Sequence, residues 1–496
     1  MKTGQVLAML AAAVATTATA MTWEVAVWRG ETTAVRVPGF ATNPVDGFTN
    51  PPEGVSVRFG SVRLTPWTDE PDWADGKELK QTYDRVVWGA AVEPGPRMME
   101  VTASRDAKPG RHVCGSTVIR VVDRELPPVR EWKYFLDLWQ HPWAVARHFG
   151  VKPFSPEHYE KMRPLWRELA QAGQKALTVT MTDLPWNHQC YDAYHSMIGR
   201  TKNDDGSWSF DYTTFDAYVA FGRACGIGPD IACYTMCPWG YEVYYQDAAG
   251  ARKSLQAKPD TPAFEDFWGD FLVDFKRHLE QKGWFADAYI AMDERSPEDV
   301  SAITKFIQRR APGFKVAMAG NRKPSEFKGI TIDNYSQVLE KGFVTEAFRK
   351  ELDERRAKGY TTTFYVCCWP PRPNTLMANP TAEAFWLGVY PAIGGYDGQL
   401  RWAYNSWPFD PCRNAAYGNW AAGDTFLAYP DGEPSVRFLE LKRGIVAAEK
   451  IRILREKGLF VKEIDEVAKK FSLAEANDGK ADMRALREAV LGVVNR

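Results

Sequence analysis

Beyond its first twenty residues the chain has no apolar run long enough to span a bilayer as a helix. It has no dominant charge. Sixty-two Lys and Arg offset 63 Asp and Glu, the formal net charge is −1, and the signs are interspersed. That leaves no basic stripe for nucleic acid and no like-charge tail. No glycine-rich phosphate loop follows any candidate strand, which disfavours a doubly wound nucleotide-binding sheet. Repeats and low-complexity segments are also missing. Cysteine is present but uninformative. Cys114, Cys190, Cys225, Cys233, Cys237, Cys367, Cys368 and Cys412 lack the spacing of a small disulfide scaffold. Cys233 and Cys237 are four apart, with no second pair or histidine cluster to complete a zinc pattern. Buried thiols are the expectation, with one loop disulfide, such as Cys190 with Cys237, as the alternative.

The chain is rich in aromatic rings, with 19 Trp, 20 Tyr and 26 Phe in 496 residues. Most must lie in cores, because large rings carry much of the buried area. The N-terminus reads as an export signal. Lys2 gives a positive start, Val6 to Val14 is a short apolar stretch, and Ala18-Thr19-Ala20 is a small-residue cleavage site. A cut after Ala20 predicts a secreted or periplasmic protein. No cysteine follows the cut, so no lipid anchor is expected.

Residues 21–130 carry short strand-like runs punctuated by Gly, Pro and Asp, the pattern of an antiparallel β-sandwich. Pro127-Pro128 marks a boundary. From 131 to 457 eight apolar runs alternate with helical stretches. The runs begin at Tyr134, Ala176, Asp230, Ala288, Lys315, Gly329, Thr362 and Leu400. Helices are expected over Pro156–Ala172, Thr213–Cys225, Thr261–Lys282 and Ser435–Lys457. Eight strand–helix units predict an α/β fold with a (β/α)8 TIM-like barrel, the doubly wound sheet being the runner-up. Asp424–Tyr429 reads as one further strand. Residues 458–496 read as a charged helical extension, packed on the barrel or forming a small bundle.

In such barrels chemistry gathers at the C-terminal strand ends. Here those ends carry aromatic and polar residues. The fourth run stops at Met292, followed by Asp293 and Glu294. Adjacent strand residues point in different directions, so two carboxyl groups there can address two atoms of one substrate. Glycoside hydrolysis usually needs such a pair. The plainer reading is that the acids open a helix capped at Ser296. Aromatic residues at most of the other strand ends favour a pocket for a sugar ring.

The chain carries Leu136-Asp-Leu-Trp-Gln-His-Pro142, Met292-Asp-Glu-Arg295, Trp402-Ala-Tyr-Asn-Ser-Trp407 with Asp410-Pro411, and Gly423-Asp-Thr-Phe-Leu-Ala-Tyr-Pro430 followed by Pro434-Ser-Val-Arg437. In this ordered set it resembles glycoside hydrolase family 123, β-N-acetylgalactosaminidases with a β-sandwich before a barrel. The resemblance implies a retaining mechanism in which the sugar's own 2-acetamido oxygen attacks the anomeric carbon, an exception to the two-carboxylate scheme. Asp293 would orient the acetamido N–H. Glu294 would protonate the leaving oxygen and then activate water, its pKa raised by burial and by its neighbour. No metal or cofactor is implied, and the partner is a glycan with a β-linked N-acetylhexosamine. Tyr335 is expected to donate to the acetamido carbonyl. Trp139, Trp369 and Trp402 would wall the ring, with Tyr234 at the end of the third strand. His141, Asp183, Asn187, Asn321 and Asn405 would read hydroxyls, and core packing or helix capping is the alternative for each. A β-N-acetylglucosaminidase, a β-galactosidase-like enzyme and a catalytically silent carbohydrate-binding protein stay open as other readings.

Overall fold

The computed structural model of the chain describes residues 23–38, 48–71, 74–89 and 95–496. The expected export signal, residues 1–20, lies outside the described residues. Seven strands come first: β1 (Trp23–Arg29), β2 (Thr32–Arg36), β3 (Val55–Trp67), β4 (Lys80–Trp88), β5 (Arg97–Ala103), β6 (Gly110–Cys114) and β7 (Thr117–Glu125). They form two facing sheets, β1-β7-β6 and β2-β5-β3-β4. Val27, Met99, Val101, Ile119 and Val121 fill the space between them. The second sheet is antiparallel throughout, but β1 pairs with β7 in parallel. The expected antiparallel sandwich is present, with this one parallel pair within it. The chain changes sheets after Arg29, so its first strand lies beside its last.

The second unit is built on β8 (Phe135–Leu138), α1 (Pro142–Phe149), α2 (Pro156–Gln171), β9 (Ala176–Thr180), β10 (Gly199–Lys202), β11 (Trp208–Asp211), α3 (Thr213–Cys225), β12 (Asp230–Tyr234), β13 (Glu242–Asp247), β14 (Arg252–Gln256) and α4 (Pro262–Lys282). It continues with β15 (Ala288–Asp293), α5 (Pro297–Arg310), β16 (Lys315–Gly320), β17 (Asn334–Val338), α6 (Glu346–Ala357), β18 (Thr361–Tyr365), α7 (Ala382–Gly394), β19 (Gly398–Arg401) and α8 (Val436–Glu456). Eight of these strands make one parallel sheet in the order β8-β19-β18-β17-β16-β15-β12-β9. The alternation of apolar strand and amphipathic helix thus produces the expected near-barrel. Seven of its strand pairs are regular ladders.

The eighth junction, β8 to β9, is closed differently. Only one backbone bridge, Leu136 with Gln174, joins the two strands. Side-chain amides make up the rest. Gln174 accepts from the Leu138 N–H at 2.9 Å and donates to Ala176 O at 2.6 Å. Gln140 accepts from the Thr178 N–H at 2.9 Å and donates to Leu138 O. Both glutamines are buried. A buried backbone group left unpaired is costly, and two amides satisfy this seam without a ladder.

Four details depart from expectation. The sixth strand is Asn334–Val338, not Gly329–Asp333, so Asp333, Asn334 and Tyr335 precede or begin the strand instead of leaving it. Between β16 and β17 the chain makes only a 3-10 turn, Pro324–Glu326, where a regular repeat would place a helix. Asp424–Tyr429 is no strand and touches its neighbours through isolated bridges. Strands β10, β11, β13 and β14, in the loops after β9 and β12, form an extra four-stranded sheet that the sequence reading did not contain.

Helices α9 (Val461–Ala468), α10 (Leu473–Asn477) and α11 (Met483–Val494) fold back, burying Ile464, Ala476, Val490 and Val494 in the barrel's core cluster. They do not form a separate bundle. The sandwich is tied to the barrel through buried ionic contacts. Asp84 on β4 receives Arg437 of α8 at 3.0–3.2 Å and the Tyr429 hydroxyl at 2.8 Å. Glu31 meets Lys450 at 2.6 Å. Among the described residues no helix is long and apolar enough to cross a membrane.

Candidate active site

The run Ala288-Tyr-Ile-Ala-Met292 is apolar and carries the pairing of β15 with β16 as far as Asp293 opposite Ala319. The Glu294 N–H continues that ladder to Ala319 O at 2.8 Å. Glu294 itself turns into the left-handed region, φ 47°, which a non-glycine residue occupies at a cost of about 1–3 kcal/mol. The turn separates the two successive carboxyl groups. Two residues on, Ser296 caps α5 by accepting from the Asp299 N–H at 3.2 Å. The helix start and the acid pair therefore both exist, side by side.

Asp293 and Glu294 face a cleft at the C-terminal ends of the barrel strands. Its walls are Trp139 after β8, Gln189 in the loop after β9, Trp239 after β12, Tyr365 at the end of β18, and Trp402 and Trp420 after β19. Cys367 and Cys368 complete one side. The carboxyls differ sharply in setting. Protein packs round Asp293, leaving part of it on the cleft. Burial, then the neighbouring Glu294, pushes its carboxyl well above the ordinary range, while Arg295 and the indoles of Trp239 and Trp186 pull the other way. Arg295 Nε and Trp239 Nε1 donate to the Asp293 backbone oxygen at 3.0 and 3.3 Å, fixing the strand end. Glu294 is exposed to the cleft, and its Oε1 accepts from the Tyr365 hydroxyl at 2.7 Å. Burial and both carboxyls hold the Tyr365 proton in place. The expected desolvation of Glu294 falls on Asp293 instead, because Asp293 is still within the strand and Glu294 has already turned out of it.

Of the residues expected to bind substrate, Trp139 and Trp402 line the cleft. Trp139 stacks on Trp186 at 4.7 Å, and Tyr234 lies against both, buried under the cleft floor and not in its wall. Trp402 donates to Asp424 at 3.1 Å, a carboxylate held by fully buried Arg401 at 2.8 Å. Trp369 is at the end of the seventh strand's loop and 57% exposed. The others are elsewhere. His141 is wholly buried; its Nδ1 accepts from the Ala144 N–H as the cap of α1, and Nε2 donates to Asp192 O at 3.0 Å. Burial pushes its pKa down to about 3, so the ring is neutral. Asn405 exchanges two hydrogen bonds with the His141 backbone. Asp183 binds Arg252 at 2.7 Å beside the extra sheet. Asn187 and Asn321 are exposed and outside the cleft wall. Tyr335 is buried in its strand and donates to Arg322 O at 2.5 Å. These six lie outside the cleft wall: His141 and Asn405 are used in capping, Asp183 in an ion pair and Tyr335 in the shifted sixth strand.

Tyr365, Gln189, Trp239 and Trp420 line the cleft but were not among the expected site residues. Tyr365 lies within the predicted run that begins at Thr362, and the observed strand ends on it. Gln189 and Trp420 come from long loops and are joined only in space, the Trp420 indole donating to Gln189 O at 3.1 Å. Among the described residues no group of three or more His, Cys, Asp or Glu side chains is arranged to hold a metal ion. All eight cysteines are free thiols, including Cys190 and Cys237.

Two carboxyl groups at a strand tip, inside an aromatic-walled cleft on a parallel near-barrel, define a glycosidase. Residues 139–454 match the glycoside hydrolase 123 catalytic domain, and the chain belongs to that family. Among solved structures it is similar to a family 123 glycoside hydrolase from Clostridium perfringens, described for glycolipid glycan hydrolysis. The identity is 22%, 95% of each chain is covered and the TM-score is 0.80. It is more distantly similar to a GH39 enzyme from Xanthomonas axonopodis pv. citri, with 13% identity, 66% of this chain and 68% of that one covered, and a TM-score of 0.37. No curated protein matches the sequence.

Proposed function

We propose that the protein is an exported β-N-acetylgalactosaminidase that works by substrate assistance, with Asp293 and Glu294 as its catalytic pair. The observation that carries this reading is the unequal setting of two adjacent carboxyls. A buried carboxylate interacts with nearby charge more strongly than a solvated one. Asp293 therefore suits the acetamido N–H, where positive charge develops as the carbonyl oxygen attacks the anomeric carbon. Glu294 has water on one side and the Tyr365 hydroxyl on the other. It can give a proton to the departing glycosidic oxygen and later take one from the water that opens the oxazolinium ring. The relative from C. perfringens is described for glycolipid glycans, and the substrate class proposed here is a glycan ending in β-linked N-acetylgalactosamine.

The test is a set of aryl β-glycosides. Aryl β-N-acetylgalactosaminide should be hydrolysed, aryl β-galactoside should not, and a thiazoline analogue of the intermediate should inhibit. Glu294→Gln should lose about 10²–10⁴-fold on substrates with poor leaving groups and much less on activated ones. Equal hydrolysis of acetylated and non-acetylated sugars would refute acetamido assistance. Faster turnover of the N-acetylglucosaminide would move the sugar assignment. The mass of the protein recovered outside the cytoplasm tests the cut after Ala20.

A further inference from the structure

The cleft does not end at Trp420. Trp420 lies 5.7 Å from Trp402, ring centre to ring centre, and pairs through its backbone with Tyr417. Tyr417 is 5.7 Å from Tyr191, and Tyr191 is 6.1 Å from Phe409. A strip of rings thus runs from the wall beside the acids to the outer surface, where Tyr191 is 43% and Phe409 69% exposed. Rings this exposed gain little stability from burial.

They are nevertheless held in place. Arg147 of α1 grips Asp192 through Nε and Nη2 at 2.9–3.1 Å. The same guanidinium donates to the backbone oxygens of Pro408, at 3.0 Å, and Phe409. It lies 4.8 Å from the Tyr191 ring centre and 5.8 Å from that of Phe409. One cation therefore joins the loop that carries Tyr191 to the loop that carries Phe409. His141 adds a second anchor through its bond to Asp192 O. Fixing exposed rings before a ligand arrives lowers the ordering cost of binding.

We infer that Trp420, Tyr417, Tyr191 and Phe409 form an aglycone site for the sugars beyond the scissile bond, so that the preferred ligand is an oligosaccharide and not a single hexosamine. The inference rests on the proposed glycosidase reading of the Asp293–Glu294 cleft. Its occupant follows from position: the strip adjoins that cleft through Trp420, and flat exposed rings suit the apolar faces of successive pyranoses.

The test separates this inference from the reading beneath it. Binding is measured by calorimetry on full-length Glu294→Gln, with N-acetylgalactosamine and with a tetrasaccharide ending in β-linked N-acetylgalactosamine. The tetrasaccharide should bind at least about tenfold tighter than the monosaccharide. Adding Phe409→Ala or Tyr191→Ala should lower that ratio by about tenfold, the scale of one stacked ring. A ratio unchanged in both variants overturns the inference, as does a tetrasaccharide that binds no tighter than the monosaccharide, or not at all. Turnover of the aryl glycoside by the wild-type enzyme, read independently, decides the proposed function.

Discussion

Closure of the barrel by side chains gives the sharpest quantitative expectation. In Gln174→Leu the volume is nearly kept, but the seam loses its acceptor for the Leu138 N–H and its donor to Ala176 O, bonds of 2.9 and 2.6 Å. Gln174 is buried, so water cannot replace the amide without opening the junction. The Ala176 oxygen keeps a bond from Gln140 Nε2 at 3.4 Å, so the group left orphaned is the Leu138 N–H, at a cost of about 1–3 kcal/mol. The remaining bonds through Gln140 hold the strands in register, so the barrel should fold and unfold at lower urea. The loss should also be local. Exchange of the Leu138 amide should speed up far more than that of amides on β16 and β17, on the other side of the sheet. Trp139 follows Leu138 and lines the cleft, so its near-ultraviolet signal should weaken as well. A stability loss under about 1 kcal/mol, with Leu138 protection unchanged, would show that the seam does not depend on this amide.

Three further outcomes follow from the same geometry. Burial and Glu294 raise the folded-state pKa of Asp293, so its stability contribution is complete below the unfolded value of about 3.9 and is lost as pH rises toward the folded value. Asp293→Asn should therefore melt like the wild type near pH 4 and above it by a margin that grows toward pH 8; a margin independent of pH would refute this. Tyr365→Phe removes the 2.7 Å bond that orients Glu294 and should lower kcat about tenfold, worth about 1.4 kcal/mol, with KM and melting temperature nearly unchanged; a change confined to KM would contradict a positioning role. Asp84→Ala strips the buried Arg437 of its carboxylate and should cost about 3–5 kcal/mol, measured by urea unfolding; a loss below about 1 kcal/mol would mean the sandwich docks without this pair.

Much of the fold was legible because its signals are local. Thr213–Cys225 is a helix with the bounds its periodicity predicts, and α5 begins where Ser296-Pro297 says it should. The sixth strand was misplaced because Gly329-Ile-Thr-Ile-Asp333 and Asn334-Tyr-Ser-Gln-Val338 both look like strands; pairing with β16 and β18 selects the second. The extra sheet was invisible because β10 pairs with β13 far along the chain, Thr201 with Gln246. At the site, the acid pair could be named from its place at a strand end. The polar candidates that lie off the cleft have bonds satisfied elsewhere, His141 and Asn405 by each other's segments and Asp183 by Arg252.

The sequence by itself determined the order of sheet, strand and helix, the tip on which Asp293 and Glu294 stand, and the supply of aromatic rings, because periodicity and capping act over a few residues. Only the tertiary structure decided which carboxyl is desolvated, that Tyr365 meets Glu294, that two glutamines close the barrel, and which rings reach the cleft. Those are contacts between segments far apart in the chain. Burial and hydrogen bonding depend on what surrounds a side chain, and no short stretch of residues specifies its own surroundings.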